Sequence, residues 1–260
     1  MAPPVGRLWA LERAARCTVN LYPPGLPLAS ARRGSGVLLE MNDGGRRLAT
    51  ARHVAEFAGA RNRLEVRFGD GARAIAEVTA AHEVHDAAVL RIVSADDDPA
   101  ERDAAALAGP GVLAPDEPVI AAGIPMPWSL FAAFQPKASD DARLLPWQNA
   151  KYACGTVAAL FCLDEDNDRG DQRLTHLLHT ARVENGASGG PLLRSSDGAL
   201  LGVHSCGDDP DHLAVSCAVI GELLDAGTLP WVPKGMAVVN RRAEEQGNEV
   251  LRLMYGPDTA

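Results

Sequence analysis

Three glycines surround one serine in the stretch Asn185-Gly186-Ala187-Ser188-Gly189-Gly190-Pro191. With no β-carbon at those positions, the backbone is free to take conformations closed to other residues, and the space beside the Ser188 hydroxyl stays open. The pattern points to a nucleophile held on a tight turn. A serine hydroxyl is weak by itself. It needs a base to take its proton, a third group to hold that base, and donors for the oxyanion that forms on the attacked carbonyl. Where those partners lie along the chain then decides which folds are open to it.

The same letters satisfy Gly-x-Ser-x-Gly, the nucleophile elbow of α/β-hydrolases, in which a helix follows the serine and the acid and histidine come later. Here Gly190-Pro191 leads instead into Leu192-Leu193-Arg194 and a turn, Ser195-Ser196-Asp197-Gly198. The candidate partners lie upstream, in Thr50-Ala51-Arg52-His53-Val54 and His85-Asp86-Ala87-Ala88-Val89-Leu90. The order His53, Asp86, Ser188 is that of the chymotrypsin arrangement.

These segments, with Gly34-Ser35-Gly36-Val37 ahead of the histidine and Gly202-Val203-His204-Ser205-Cys206-Gly207 after the serine, resemble trypsin-like serine peptidases of the chymotrypsin fold. The nearest likeness is to bacterial members, the high-temperature-requirement proteases and glutamyl endopeptidases, over scattered blocks from Cys17 to Ile220. The resemblance implies an all-β fold of two six-stranded antiparallel barrels with a short C-terminal helix. It implies His53 as base, Asp86 buried against the other imidazole nitrogen, and an oxyanion hole from the amides of Gly186 and Ser188. Ala187 stands where enzymes activated by cleavage carry an aspartate that pairs with a new N-terminus, so that kind of activation is not expected.

The resemblance also suggests a specificity. Ser205, Cys206 and Gly207 correspond to the strand that pairs with substrate, and Ser205 to a serine that bonds the acid. His204 matches a histidine that contacts acidic side chains in glutamyl endopeptidases, and Arg182, six residues before Ser188, falls at the position of the pocket base. A guanidinium fork matches a carboxylate, so the expected preference is for an acidic residue before the scissile bond. Asp208, Asp209 and Asp211 are alternative partners for Arg182.

Strand-like alternation begins at Cys17, Val19 and Leu21 and recurs at Gly34 to Glu40, Arg47 to Thr50, Leu64 to Phe68, Ala72 to Val78 and Ala87 to Val93. This gives an N-terminal extension (1–15, with a short helix from Leu8 to Ala15) and a first barrel (16–94) carrying His53 and Asp86. An acidic, alanine-rich linker (95–116) follows, then a second barrel (117–225) carrying Ser188 and a tail (226–260). The second barrel's strands are expected at Val119 to Gly123, Tyr152 to Leu163, Leu174 to Thr180, Pro191 to Leu193, Leu200 to Cys206 and Leu213 to Ile220, with helices at Gly221 to Ala226 and Leu251 to Tyr255. Residues 124–150 form a long insertion that reads equally as an overhang of the expected groove or as a plain surface loop.

A net charge of −9 with no basic stripe argues against nucleic acid or anionic membranes as partners. The first residues lack a signal peptide's charged head and apolar core, and no window reaches the length of a membrane span. Five cysteines, Cys17, Cys154, Cys162, Cys206 and Cys217, read as small buried thiols, and a cytoplasmic location is the expectation. No cofactor is called for, and no metal. His82 with His85, and His176 with His179, are pairs three residues apart that would face opposite sides of a strand. The run Asp164 to Asp171 alternates oxygen ligands but has no glycine at the sixth position and Thr175 in place of the bidentate glutamate, so a solvated loop is expected.

Protein or peptide is the expected substrate. Control of such an enzyme in the cytosol predicts that the insertion from Pro125 to Trp147, or the tail, covers the groove until a regulatory protein partner arrives. Two alternatives stay open: a protease-like scaffold that binds peptide or partner and cuts slowly or not at all, and an esterase or acyltransferase using the same residues.

Overall fold

The chain enters through a helix, α1 (Val5–Cys17), and then runs almost wholly in strands. The computed structural model describes residues 5–24, 34–43, 45–82, 84–109, 113–124, 151–161, 174–208 and 211–225. The first six strands are β1 (Thr18–Tyr22), β2 (Gly34–Glu40), β3 (Arg46–Thr50), β4 (Arg63–Arg67), β5 (Arg73–Ala81) and β6 (Ala88–Ala95), with a single helical turn, α2 (Arg52–Ala55), after β3. The next six are β7 (Pro118–Gly123), β8 (Lys151–Phe161), β9 (His176–His179), β10 (Pro191–Arg194), β11 (Leu200–Asp208) and β12 (Asp211–Ser216), followed by α3 (Cys217–Asp225).

Each set closes on itself. β1 pairs with both β2 and β4, completing the ring β1-β2-β3-β6-β5-β4, and β10 pairs with both β7 and β11, completing β7-β8-β9-β12-β11-β10. The two barrels share one strand order, and every pairing is antiparallel. Closure leaves neither barrel with an open sheet edge. Residue-by-residue alternation of burial along β4 and β5 is what one wet face and one dry face require.

Each barrel holds its own apolar filling. Leu21, Leu38, Leu48, Leu64 and Leu90 fill the first, and Val119, Leu177, Leu192 and Leu201 the second. A third cluster lies between them, where Ala10, Ala14 and Cys17 of α1 meet Val37 and Leu39 of β2, Ile120 and Leu193 of the second barrel, and Val219, Ile220 and Leu223 of α3. The spacing of Ala10, Ala14 and Cys17 is one face of a helix. That face explains why α1 runs the full length Val5–Cys17 rather than Leu8 to Ala15: it is a packed element of the seam. Arg13 donates to Ala104 O at 2.8 and 3.1 Å and fastens α1 to the segment between the barrels.

That segment is stitched down on both sides. Ala105 N donates to Leu38 O (2.8 Å) and Glu40 N to Ala105 O (3.0 Å), while Ala108 N donates to Leu200 O (2.9 Å) and Leu200 N to Ala106 O (2.8 Å).

Two expectations need correction. The strand expected from Leu213 to Ile220 ends at Ser216, and Cys217 already begins α3. Ser216 Oγ accepts from Ala218 N at 3.2 Å, satisfying an amide that the helix start leaves without a partner, and Val219, Ile220 and Leu223 then bury one helix face. Cys154 is exposed on β8, not buried, whereas Cys17 is fully buried and its burial pushes the thiol up to about 12. Most of the 124–150 insertion, the acidic run from Asp164, Asp209, the tail from 226 and the helix expected at Leu251 to Tyr255 lie outside the described residues.

Candidate active site

The histidine is delivered by the end of β3. Ala51 O accepts from Val54 N (3.2 Å) and Ala55 N (3.1 Å), turning the chain into α2, and His53 sits in that turn. Its backbone N donates to Asp86 Oδ1 (2.9 Å) and its Nδ1 to Asp86 Oδ2 (2.8 Å), so one carboxylate fixes both the main chain and the ring. Asp86 lies between β5 and β6 in a loop closed by His82 N donating to Ala87 O (2.9 Å) and Ala87 N to His85 O (2.8 Å). Ser205 Oγ, on β11, donates to Asp86 Oδ2 at 2.5 Å, so the acid is held from both barrels.

Three donors on one buried carboxylate set its charge. Burial opposes ionisation of Asp86, but the facing His53 and the hydrogen bonds from His53 and Ser205 outweigh it and hold the carboxyl below its ordinary range. Burial likewise opposes charging of His53, and the charge and hydrogen bond of Asp86, with Glu56 adding to them, overcome it and raise the imidazole. With Nδ1–H committed to Asp86, Nε2 is the nitrogen left to take a proton.

The serine loop is two tight turns in succession. Ala187 N donates to Glu184 O (3.0 Å) across the first and Gly190 N to Ala187 O (2.8 Å) across the second. Gly186 (φ 94°) and Gly189 (φ 83°) occupy the third position of each, where a positive φ favours glycine. A β-carbon on Gly189 would collide with Thr50 Oγ1 and Ser35 O. The loop's amides are used selectively. Those of Ala187 and Gly190 are spent within the loop and that of Gly189 on His204 O of β11, and among the described residues those of Gly186 and Ser188 make no hydrogen bond. Ser188 Oγ itself donates to Ser205 O at 3.1 Å.

One residue holds this loop to the first barrel that the sequence motif did not single out. Ser35, wholly buried at the start of β2, donates from N to Ser188 O (2.8 Å) and from Oγ to Gly186 O (2.9 Å), while accepting from Ile124 N (2.8 Å) on Oγ and from Thr50 Oγ1 (2.7 Å) on its carbonyl. A small hydroxyl between two glycines at a strand start was its only signal in the sequence.

The remaining expected residues divide. His204 is buried on β11, its N donating to Gly190 O (2.8 Å) and its O accepting from Gly189 N (2.6 Å), directly behind the serine loop. Burial, with His179, His212 and His53 nearby, holds its imidazole well below the ordinary value. His179 of β9 and His212 of β12 complete a triangle of rings with His204, centroids 5.7 to 5.8 Å apart. β11 pairs with β10 only as far as Val203, so Ser205, Cys206 and Gly207 lie beyond the end of that neighbour, with β12 on their other side. Arg182 is exposed, on the stretch leading into the serine loop.

His82 and His85 do not face apart as strand parity predicts. The strand ends at Ala81, and in the loop beyond it their rings meet at a tilt with centroids 4.3 Å apart, with His176 of β9 meeting His85 edge-on at 5.0 Å. No group of histidine, cysteine and acidic residues among the described residues is arranged to hold a metal ion. The arrangement can do acyl chemistry: a hydroxyl, an oriented base with a free nitrogen, and two unused amides at the hydroxyl.

A sequence model of the trypsin-like peptidase domain matches residues 34–203, from the start of β2 into β11. No curated protein matches the sequence. Among solved structures, a serine endoprotease from Yersinia pestis superposes with a TM-score of 0.59 at 21% identity, over 86% of this chain and 67% of that one. An HtrA-type protease solved with a tripeptide superposes with a TM-score of 0.59 at 20% identity, over 85% of this chain and 62% of that one. The chain therefore spans about 62 to 67% of the length of these two, and the likeness is one of fold. The match runs through well over half of the sequence and encloses His53, Asp86 and Ser188, and on that ground the chain belongs to the trypsin-like peptidase domain family.

Proposed function

We propose that this chain is a serine endopeptidase in which Ser188 attacks the peptide carbonyl, His53 moves the proton and Asp86 holds His53. The observation that carries the reading is the pairing of an oriented base with selective amide use: His53 Nδ1 is tied to Asp86 at 2.8 Å, and the amides of Gly186 and Ser188 are left undonated. His53 Nε2 takes the Ser188 proton as Oγ bonds to the carbonyl carbon, and the oxygen that becomes negative is met by those two amides. His53 then gives the proton to the leaving amine. Water, deprotonated by His53, attacks the acyl-enzyme and Ser188 recovers its proton.

An extended peptide fits as an added strand beside Ser205, Cys206 and Gly207, where β11 runs past the end of β10. His204 behind the serine loop, in contact with two further imidazoles, supports an acidic residue before the scissile bond. A carboxylate reaching it would favour an N–H donor on the His204 ring. Arg182, exposed on the approach to Ser188, is the cation that would add to this.

One observation favours a second reading, a scaffold that binds peptide without cutting it: the Ser188 hydroxyl points to Ser205 O, not to His53. The first reading requires the Ser188 side chain to turn from Ser205 O toward His53 Nε2. Incubation of a diverse peptide mixture with the protein and with Ser188→Ala, with fragment ends read by mass spectrometry, tests both. Cuts that require Ser188 and follow Glu or Asp are expected. Cuts after other residues would remove the acidic pocket, and no cuts from either protein would leave the scaffold.

A further inference from the structure

The loop that carries Asp86 is held by an unusual group. His82 Nδ1 accepts from two main-chain amides, Val84 N at 3.2 Å and His85 N at 3.1 Å, while His82 N closes the loop onto Ala87 O at 2.9 Å. This is the geometry by which an Asp or Asn side chain caps a turn through the amides two and three residues on. An imidazole nitrogen accepts only when it carries no proton. The loop's shape is therefore tied to one protonation state of His82.

We propose that His82 is a positioning residue for Asp86, holding the acid's loop through an unprotonated Nδ1 and, through the ring contacts His82–His85 and His85–His176, seating that loop against the second barrel. His85 is sandwiched between His82 (4.3 Å) and His176 of β9 (5.0 Å), so the ring next to Asp86 in sequence is wedged from both barrels. His85 and His176 are buried, and His85 Nδ1 and His176 Nε2 have no hydrogen-bond partner.

A proton on Nδ1 would turn an acceptor into a donor facing two donors, and both bonds would be lost together. The charged and titratable groups around His82 pull in both directions. Asp86 favours the proton. Arg52, whose guanidinium donates to His82 O at 3.2 Å and pairs with Glu56 at 3.5 Å, opposes it, and His85 and His176 lie on the far side as neutral rings. Imidazoles titrate between pH 5 and 8, whereas an amide or a carboxylate in the same cap would not. The chain has thereby put an acid-sensitive clip on the residue that orients its base. Protonation of His53 removes the base directly. Protonation of His82 would misplace Asp86 in the same pH range, so activity should fall on the acid side with two protons rather than one.

The inference rests on Ser188, His53 and Asp86 being the reacting groups, and the test separates the two claims. The rate of Ser188 labelling by a fluorophosphonate is measured from pH 5 to 9 for the wild type, His82→Ala, His82→Asn and His82→Asp, with imidazole nitrogen NMR on the unlabelled protein. His82→Ala should label about tenfold more slowly at pH 8, the scale expected when an orienting group drifts. His82→Asn and His82→Asp, which keep an acceptor, should stay within about twofold of wild type at that pH. Both should lose rate on the acid side as one proton, where the wild type loses it as two. The NMR spectrum should show His82 protonated on Nε2 alone at pH 8, with the Val84 and His85 amides shifting as that ring titrates.

A one-proton acid limb in the wild type with His82→Ala unchanged would overturn the proposal, as would a proton on Nδ1 at pH 8. A wild type that does not label at all would count against the peptidase reading instead, and the NMR result would then decide the role of His82 by itself.

Discussion

The two barrels have the same strand order and different interiors. The first is filled by leucine, valine and phenylalanine, and presents His53 and Asp86 from a helical turn and a closed loop at its rim. The second buries four histidines, His176, His179, His204 and His212, among a smaller apolar set, and presents Ser188 from a glycine-rich double turn. One topology thus carries two interiors: both barrels bury polar groups, but the first buries one histidine, His85, and the second four. A buried imidazole without a charge partner stays neutral at the expense of its pKa. The second barrel is accordingly the half of the molecule that acid should reach first.

The largest effects should come from the residues that need both barrels at once. Asp86→Asn keeps the shape but supplies an amide where His53 Nδ1–H needs an acceptor, and should slow fluorophosphonate labelling of Ser188 by on the order of 10³ to 10⁴ at pH 8. A loss under tenfold would mean that the first barrel does not orient the base. Next is the contact that presses the serine loop onto the first barrel. Gly189→Ala combines φ 83° with a β-carbon forced against Thr50 and Ser35, and should destabilise by about 3 kcal/mol or more in urea unfolding. An unchanged midpoint would show that the barrels are not in backbone contact there.

Acid sharpens the difference in interiors. Burial holds His179 down to about 3 and His176 to about 4 in the folded protein, against about 6.5 when unfolded. Between those values only the unfolded chain binds the proton, so this part of the stability is complete above pH 6.5 and falls as pH drops toward 3 to 4. The loss is about 1.4 kcal/mol per pH unit per histidine. Hydrogen exchange at pH 7 and pH 5 should show β9, β11 and β12 losing protection before β2 to β5. Equal loss in both barrels would dissolve the contrast. The smallest effect expected is that of Ser35→Ala, which removes a hydroxyl bridging Gly186 O and Ile124 N. A fall in labelling rate of about tenfold is predicted, with a loss of about 1–3 kcal/mol in urea unfolding, since the substitution leaves the buried Ile124 N–H and Gly186 O without their partner.

The sequence carried the barrels because alternation in segments such as Leu64 to Phe68 is a local signal, and local signals survive into the fold. His53, Asp86 and Ser205 were legible as partners because each sits in a short motif, and the structure brings them within bonding distance. Ser35 was not legible, since its bonds to Gly186 and Ser188 join residues about 150 positions apart and nothing in Gly34-Ser35-Gly36 names the other end. Strand parity did separate His176, which packs on His85, from His179, which packs on His204 and His212. It failed for His82 and His85 because β5 ends one residue before His82, and a loop obeys no parity. Arg182 was placed by its sequence distance from Ser188 alone, and in the structure its side chain is exposed on the stretch leading into the serine loop.

The central claim is that Ser188 is a nucleophile activated by His53. It is tested most directly by intact-mass analysis after treatment with a fluorophosphonate at pH 8. A single phosphonyl adduct is expected, mapped to Ser188 and absent from Ser188→Ala and from His53→Ala. A wild type that stays unmodified, or an adduct that persists in Ser188→Ala, would contradict it.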